Sequence, residues 1–181
     1  MKMFRYFLLL IVVASITTHA AQAAESLTLK DTPVSVYLSP FGGGQAAIIA
    51  QINQAKQTIL VQAYSFTAEP IAHALLDAHK RGVKVQVILD KSQRSGRYTS
   101  ATFLANSEIP TFIDAAHAIA HNKVMVLDGK TVITGSYNFT KAAEEKNAEN
   151  LLVIKSGDLA KIYTDNWNQH LKHSEPYAAK Y

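Results

Sequence analysis

Apolar positions along the chain recur in two rhythms, alternating in some stretches and helical in others, and their succession predicts an α/β fold of packed layers. Val34 to Leu38 is a run of β-formers. Gln45 to Ala55 then places Ile48, Ile49, Ile52 and Ala55 on one helical face. Thr58 to Tyr64 predicts a buried strand. Glu69 to Lys80 predicts a helix, with Pro70 in its first turn and Gly82 just past its end. Val83 to Leu89 opens as Val-Lys-Val-Gln-Val, a strand with one wet face at its start. A weaker helical pattern runs from Arg97 to Asn106, and a short strand from Ile109 to Ile113. Val124 to Leu127 and Thr131 to Thr134 read as two strands joined at Asp128-Gly129, a hairpin signal. A polar stretch from Lys141 to Asn150 precedes a strand from Leu151 to Lys155. The last helix runs from about Asp158 to Lys172, with Ser156 as its cap and Leu159, Ile162, Tyr163, Trp167 and Leu171 as its apolar stripe. No internal repeat is visible.

Composition narrows this to one domain. The chain has 181 residues, of which 48% are apolar and 18% charged, enough for one core but neither polar enough for a disordered chain nor long enough for two large domains. The first 23 residues stand apart: Lys2 and Arg5 form a basic start, Phe7 to Ile16 is apolar, and Ala21-Gln22-Ala23 ends in small residues. This pattern predicts a secretory signal cleaved after Ala23, with residues 24–181 as the exported domain, periplasmic or secreted. The apolar run is too short to span a bilayer. The chain has no cysteine, which excludes disulfides, thiolate metal sites and a lipid anchor on cysteine. Lys2 and Arg5 account for two of the 18 basic residues, so without them 16 face 14 acidic ones and strong attraction to polyanions is not indicated.

Candidate chemistry concentrates in His121 to Asn138. In a strand His121 and Lys123 point to the same face. With a two- or four-residue turn, the even-numbered residues, including Ser136 and Asn138, would face that pair; a three-residue turn would reverse the parity. Lys123 offers charge, Ser136 and Asn138 offer hydrogen bonds, and His121 offers a nucleophilic nitrogen, a set suited to a phosphate. The same residues could instead decorate a wet strand face, with Asn138 capping a turn.

The residues also match, spacer for spacer, a known signature: His121, one residue, Lys123, four residues, Asp128, six residues, then Gly135, Ser136, one residue and Asn138. The chain therefore resembles the phospholipase D superfamily, and in particular its secreted single-motif nucleases. Tyr64-Ser65-Phe66-Thr67, the helix ending in Arg81-Gly82-Val83 and the strand ending at Asp90 resemble the half-domain before the motif, and Asn147, Glu149 and Asn150 resemble its downstream element. The resemblance implies a mixed β-sheet flanked by helices on both faces, one phospholipase D-like half completed by homodimerisation. It makes His121 the nucleophile of a phosphohistidine intermediate, gives the nonbridging oxygens to Lys123 and Asn138, adds a hydrogen bond from Ser136, and has Glu149 orient and charge the histidine. Asp128 and Gly135 are implied to be structural. A second histidine must protonate the leaving oxygen. With one motif copy and no repeat, that histidine is expected from a second subunit across a two-fold axis.

The implied activity is metal-independent cleavage of DNA, and by the same chemistry of RNA, with no cofactor. The alternatives are a phospholipase D releasing phospholipid headgroups and an inactive module that binds nucleic acid or membrane. Other signals are set aside. His117 and His121 lack the companion glutamate of a helical zinc site, and Gly42-Gly43-Gly44 lacks the Lys-Ser/Thr of a phosphate loop. His73, His79, His170 and His173 are expected at the surface. Lys80, Arg81, Lys84, Lys91, Arg94 and Arg97 form a basic stretch that could follow a phosphate backbone or simply line a solvated helix end and loop.

Overall fold

The computed structural model describes residues 24–96 and 99–179; the expected signal segment, Arg97 and Tyr98 lie outside them. The chain forms β1 (Val34–Leu38), α1 (Gly44–Gln54), β2 (Thr58–Ala63), α2 (Glu69–Lys80), β3 (Lys84–Asp90), α3 (Ala101–Asn106), β4 (Thr111–Asp114), β5 (Lys123–Leu127), β6 (Thr131–Gly135), α4 (Lys141–Glu145), β7 (Asn150–Ile154), α5 (Gly157–Lys172) and β8 (Ser174–Pro176). A single 3-10 turn, Lys91–Arg94, follows β3. The strands build one eight-stranded sheet in the order β1-β7-β6-β5-β2-β3-β4-β8. Neighbours β2, β3 and β4 run parallel, and all other pairs are antiparallel.

Alternation along the strands decides which residues meet which helix. On one face Ile59, Val61, Val85, Val87, Met125 and Ile133 join Ile48 and Ile52 of α1 and Ile71 and Leu75 of α2 in the main core. Each of the four helical side chains is fully buried and contributes about 1.5–3 kcal/mol. On the other face Val124, Val126 and Val132 pack against Ala160, Leu159 and Tyr163 of α5. Trp167 locks that helix down, because its buried indole N–H donates to Val61 O at 3.0 Å. The mixed sheet with helices on both faces is the fold class that the sequence predicts.

The structure adds three local features to the sequence pattern. The β5–β6 hairpin pairs Met125 with Ile133 and Leu127 with Thr131, so its turn is three residues, Asp128-Gly129-Lys130. Asp128 (φ 52°) and Gly129 (φ 62°) take the left-handed backbone this turn needs, and Lys130 N donates to Leu127 O at 3.0 Å. Odd positions thus face odd ones, the opposite of the parity that would set Ser136 and Asn138 across from Lys123. The polar stretch after Thr140 contains α4, started by the Thr140 hydroxyl accepting from Ala143 N. Finally, Ser174–Pro176, which carries no apolar pattern, pairs with β4 as an edge strand.

With this topology β1, β2, β3, β4 and β6 end at the same edge of the sheet where β5 and β7 begin. Leu38, Ala63, Asp90, Asp114, Gly135, Lys123 and Asn150 therefore all arrive at one rim. In α/β sheets this rim is where ligands are met.

Candidate active site

The residues just before β5 are held in place by β2 and β3. Tyr64 N donates to Asn122 O at 2.8 Å, extending the ladder past the end of β2. The buried Asp90 carboxylate accepts Ala120 N at 2.7 Å and Ser92 N at 2.8 Å. Burial alone would raise the Asp90 pKa, but these amides, the Ser92 side chain and nearby Lys91 outweigh it and hold the carboxyl below its ordinary value. Asp90 thus anchors the backbone one residue ahead of the exposed His121.

Lys123 is 7% exposed, a cation almost fully withdrawn from water. Its Nζ donates to the main-chain oxygen of His121 at 2.9 Å and lies 5.1 Å from the centroid of the Tyr64 ring. The same ring lies 4.6 Å from the imidazole of His121. Tyr64 is a wall shared by both motif residues, a position the sequence marks only through its family-like segment. Burial pushes the Lys123 ammonium below the usual lysine range, and the Glu149 carboxylate offsets part of that shift.

Ser136 reaches this rim by a route other than hairpin parity. Its amide and that of Tyr137 both donate to Asn150 O, at 3.1 and 3.2 Å, a β-bulge that re-aims the chain after Gly135. Gly135 has φ 145°, and a Cβ there would stand 2.2 Å from Asn150 O, so only glycine lets the two strands approach. Ser136 Oγ then donates to Glu149 Oε2 at 2.6 Å and accepts from Asn150 N at 3.0 Å. Asn147 Nδ2 donates to Glu149 Oε1 at 3.0 Å. Both Glu149 oxygens are thus engaged by Ser136 and Asn147, and among the described residues no hydrogen bond joins Glu149 to the His121 ring.

Asn138 follows on the same loop. Its Oδ1 is buried without a partner among the described residues, a state that costs about 1–3 kcal/mol until a donor meets it. Asp128 lies at the far end of β5, five residues past Lys123 and roughly 17 Å from it at a rise near 3.4 Å per residue. There its carboxylate accepts the amides of Lys56, Gln57 and Thr58 at 2.9, 2.8 and 3.0 Å, tying the hairpin to the start of β2. The structure therefore gathers His121, Lys123, Ser136 and Glu149 at one rim and leaves Asp128 at the other.

The structure bears on the two open readings of the basic stretch and corrects the expectation that His170 and His173 are surface residues. The basic stretch divides: Lys80, Arg81 and Lys84 lie at the start of β3 and Lys91 and Arg94 at its end, roughly 20 Å apart. Arg81 donates to Ile52 O at 3.0 Å, Lys91 donates to His117 O at 3.0 Å, and Arg94 pairs with Glu175 at 2.5 Å. Among the described residues, which exclude Arg97, it does not form one continuous track. His170 and His173 are not merely surface residues, since both turn toward the buried Asp114, where His117 joins them. A hollow of about 580 Å³ is lined by Thr67, Glu69, Ala72, His73, Ser100 and Phe103. No motif side chain lines it; the motif stands on an open rim.

Over residues 48–171 the chain matches the family model described as "Cardiolipin synthase, PLD-like domain". The chain belongs to the phospholipase D superfamily. Among curated relatives of this phospholipase D-like chain, a phospholipase D of Rickettsia conorii is 41% identical over 139 residues, covering 77% of this chain and 70% of the relative. Among solved structures, a phospholipase D family member, Nuc, from Salmonella typhimurium has a TM-score of 0.78 and 40% identity, covering 81% of this chain and 99% of that one. NucT from Helicobacter pylori shares the fold, with a TM-score of 0.75 at 24% identity over 81% of this chain and 100% of that one. The phospholipase D-like chain is a phosphodiester hydrolase, and it falls in the Nuc-like branch.

Proposed function

We propose that this protein is an exported, metal-independent endonuclease that cleaves DNA, and RNA by the same chemistry, through a phosphohistidine at His121. The observation that carries the chemistry is the buried Lys123 ammonium bonded to the backbone of the exposed His121, with Glu149 close enough to favour the charged lysine. A fixed cation in a nearly dry setting stabilises charge on phosphoryl oxygens far better than a solvated one.

His121 attacks phosphorus as the bond to the leaving sugar oxygen breaks. His121 of a second copy gives that oxygen a proton, then takes one from the water that cleaves the phosphorus–nitrogen bond and frees the phosphate end. Lys123 and Asn138 hold the nonbridging oxygens. Ser136 and Asn147 fix Glu149 at the rim, from which its charge supports the imidazolium. A two-fold dimer would set the two histidines face to face. Supporting this, Leu38 (65% exposed), Phe41 (75%) and Ile119 (56%) leave apolar surface on the same rim as His121.

Nucleic acid is favoured because the motif stands on an open edge, where a polymer can pass in both directions, rather than in an apolar cavity suited to acyl chains. The second reading, a phospholipase D, is favoured by the name of the Rickettsia conorii relative. Incubating the purified protein with plasmid DNA and with phosphatidylcholine vesicles, both in excess chelator, separates the two. Nicking and degradation of the plasmid alone is expected. Headgroup release alone would replace the first reading with the second. Activity on DNA that is lost in chelator and restored by Mg²⁺ would overturn the metal-independent mechanism.

A further inference from the structure

Beside the rim, three imidazoles converge on one carboxylate oxygen. Asp114 Oδ2 lies 2.7 Å from His170 Nδ1, 3.3 Å from His173 Nε2 and 3.6 Å from His117 Nε2. The three rings stand 4.9 to 5.2 Å apart, centre to centre. One ligand atom from each of the four residues can be chosen so that all lie within 4.8 Å of one another. The other Asp114 oxygen is occupied, accepting Ala116 N at 3.0 Å, which fixes how the carboxylate presents Oδ2. The Asp114 side chain is fully buried, while those of His117 and His173 are 45% and 38% exposed, so the cluster has a fixed base and an open mouth.

Hydrogen bonding accounts for part of this arrangement. His170 makes a good bond to Oδ2 and His173 a long one, but His117 at 3.6 Å is beyond hydrogen-bond range. Three nitrogens and one carboxylate oxygen make a tetrahedral donor set of the kind zinc takes. With Zn–N and Zn–O bonds of about 2.0–2.2 Å, the ligand atoms of a tetrahedron stand roughly 3.3–3.5 Å apart. Two of the three separations from Oδ2 already fall within about 0.2 Å of that range, and the shortest would open by less than 1 Å. Ala116 N would then play the outer-shell part, orienting the carboxylate.

The geometry points to a structural zinc site formed by Asp114, His117, His170 and His173, distinct from the catalytic rim residues. In sequence it reads as Asp-x-x-His and His-x-x-His, with His117 and the next ligand 53 residues apart. The ion joins the end of β4, the segment leading to His121, and the last turn of α5 at its junction with β8. That segment is otherwise held by Asp90 at Ala120 and by Lys91 at His117 O. In a chain without cysteine, such a clip supplies a cross-link that no disulfide can.

The test uses untagged protein, stripped with chelator and titrated with ZnCl₂ in a calorimeter, with bound metal counted by mass spectrometry. One zinc per chain is expected, with a melting temperature about 5 °C or more higher at a hundredfold excess over Kd. Co²⁺ should give the intense visible absorption of a tetrahedral centre. The double variant His117→Gln/His173→Gln, which changes only the two more exposed ligands, should keep the melting temperature of the stripped protein and lose at least 100-fold in zinc affinity. His121→Asn should still bind one equivalent, separating this site from the catalytic histidine. Stripped protein assayed below its melting temperature should still hydrolyse bis(p-nitrophenyl) phosphate, as a structural role requires. The inference is overturned if the double variant binds zinc as the parent does, if His121→Asn abolishes binding, if cobalt gives only the pale spectrum of an octahedral ion, or if stripped, folded protein is inactive until zinc returns.

Discussion

Lys123 Nζ donates to the main-chain oxygen of His121 at 2.9 Å, so the cation of the motif is bonded to the residue it is proposed to serve. Because Lys123 is nearly buried, Lys123→Met should cost little stability, a buried charge being replaceable by an apolar chain of similar volume. Turnover of bis(p-nitrophenyl) phosphate should nevertheless fall by about 10²-fold or more, the loss of one fixed donor to the transition state. Steady-state kinetics beside a thermal melt checks this. Unchanged kcat in a folded Lys123→Met protein would remove Lys123 from the mechanism.

Glu149→Gln keeps an acceptor for Ser136 but removes the charge that favours protonated Lys123. Burial already lowers the lysine pKa, and without Glu149 it falls further. The alkaline limb of the rate profile should therefore move to lower pH, and the rate at neutral pH should drop. An alkaline limb that stays in place would show that Glu149 does not act on Lys123.

Asp128→Asn tests a different edge of the sheet. Burial would raise the Asp128 pKa, but the amides of Thr58, Lys56 and Gln57, with Lys130 nearby, bring it below its ordinary value of 3.8. A depressed folded-state pKa gives stability that is fully present above the unfolded value and lost as pH falls through the folded one. The variant should be about 1–3 kcal/mol less stable at pH 7. That gap should shrink as pH drops below about 4. Denaturant melts at pH 7 and pH 3 measure it. A folded Asp128→Asn protein without catalysis would contradict the separation of Asp128 from the rim.

A mixed dimer of one native subunit and one His121→Ala subunit tests the shared site. Under the proposed mechanism it keeps one nucleophile but lacks the histidine that would protonate the leaving alkoxide. On DNA it should be nearly inactive rather than half active. A nitrophenolate ester, whose leaving group needs little protonation, should give a single-turnover burst and a phosphoryl adduct on His121, seen by mass spectrometry. Half activity on DNA with burst-free turnover of the ester would mean each subunit works alone.

The sequence by itself determined the layered fold, because side-chain period marks helices and strands, and the buried faces of α1, α2 and β2 to β7 are written in that period. It also determined the family, because His121, Lys123, Gly135, Ser136 and Asn138 stand at the fixed spacings of one signature. The tertiary structure alone decided how Ser136 reaches the rim, since a three-residue turn reversed the hairpin parity and a bulge at Asn150 re-aimed the chain. It alone divided the basic stretch between the two ends of β3, and it alone brought His170 and His173 to Asp114 from 56 and 59 residues away. Such meetings leave no periodic trace: a turn length or a strand order moves a side chain by many ångströms while the local pattern stays the same.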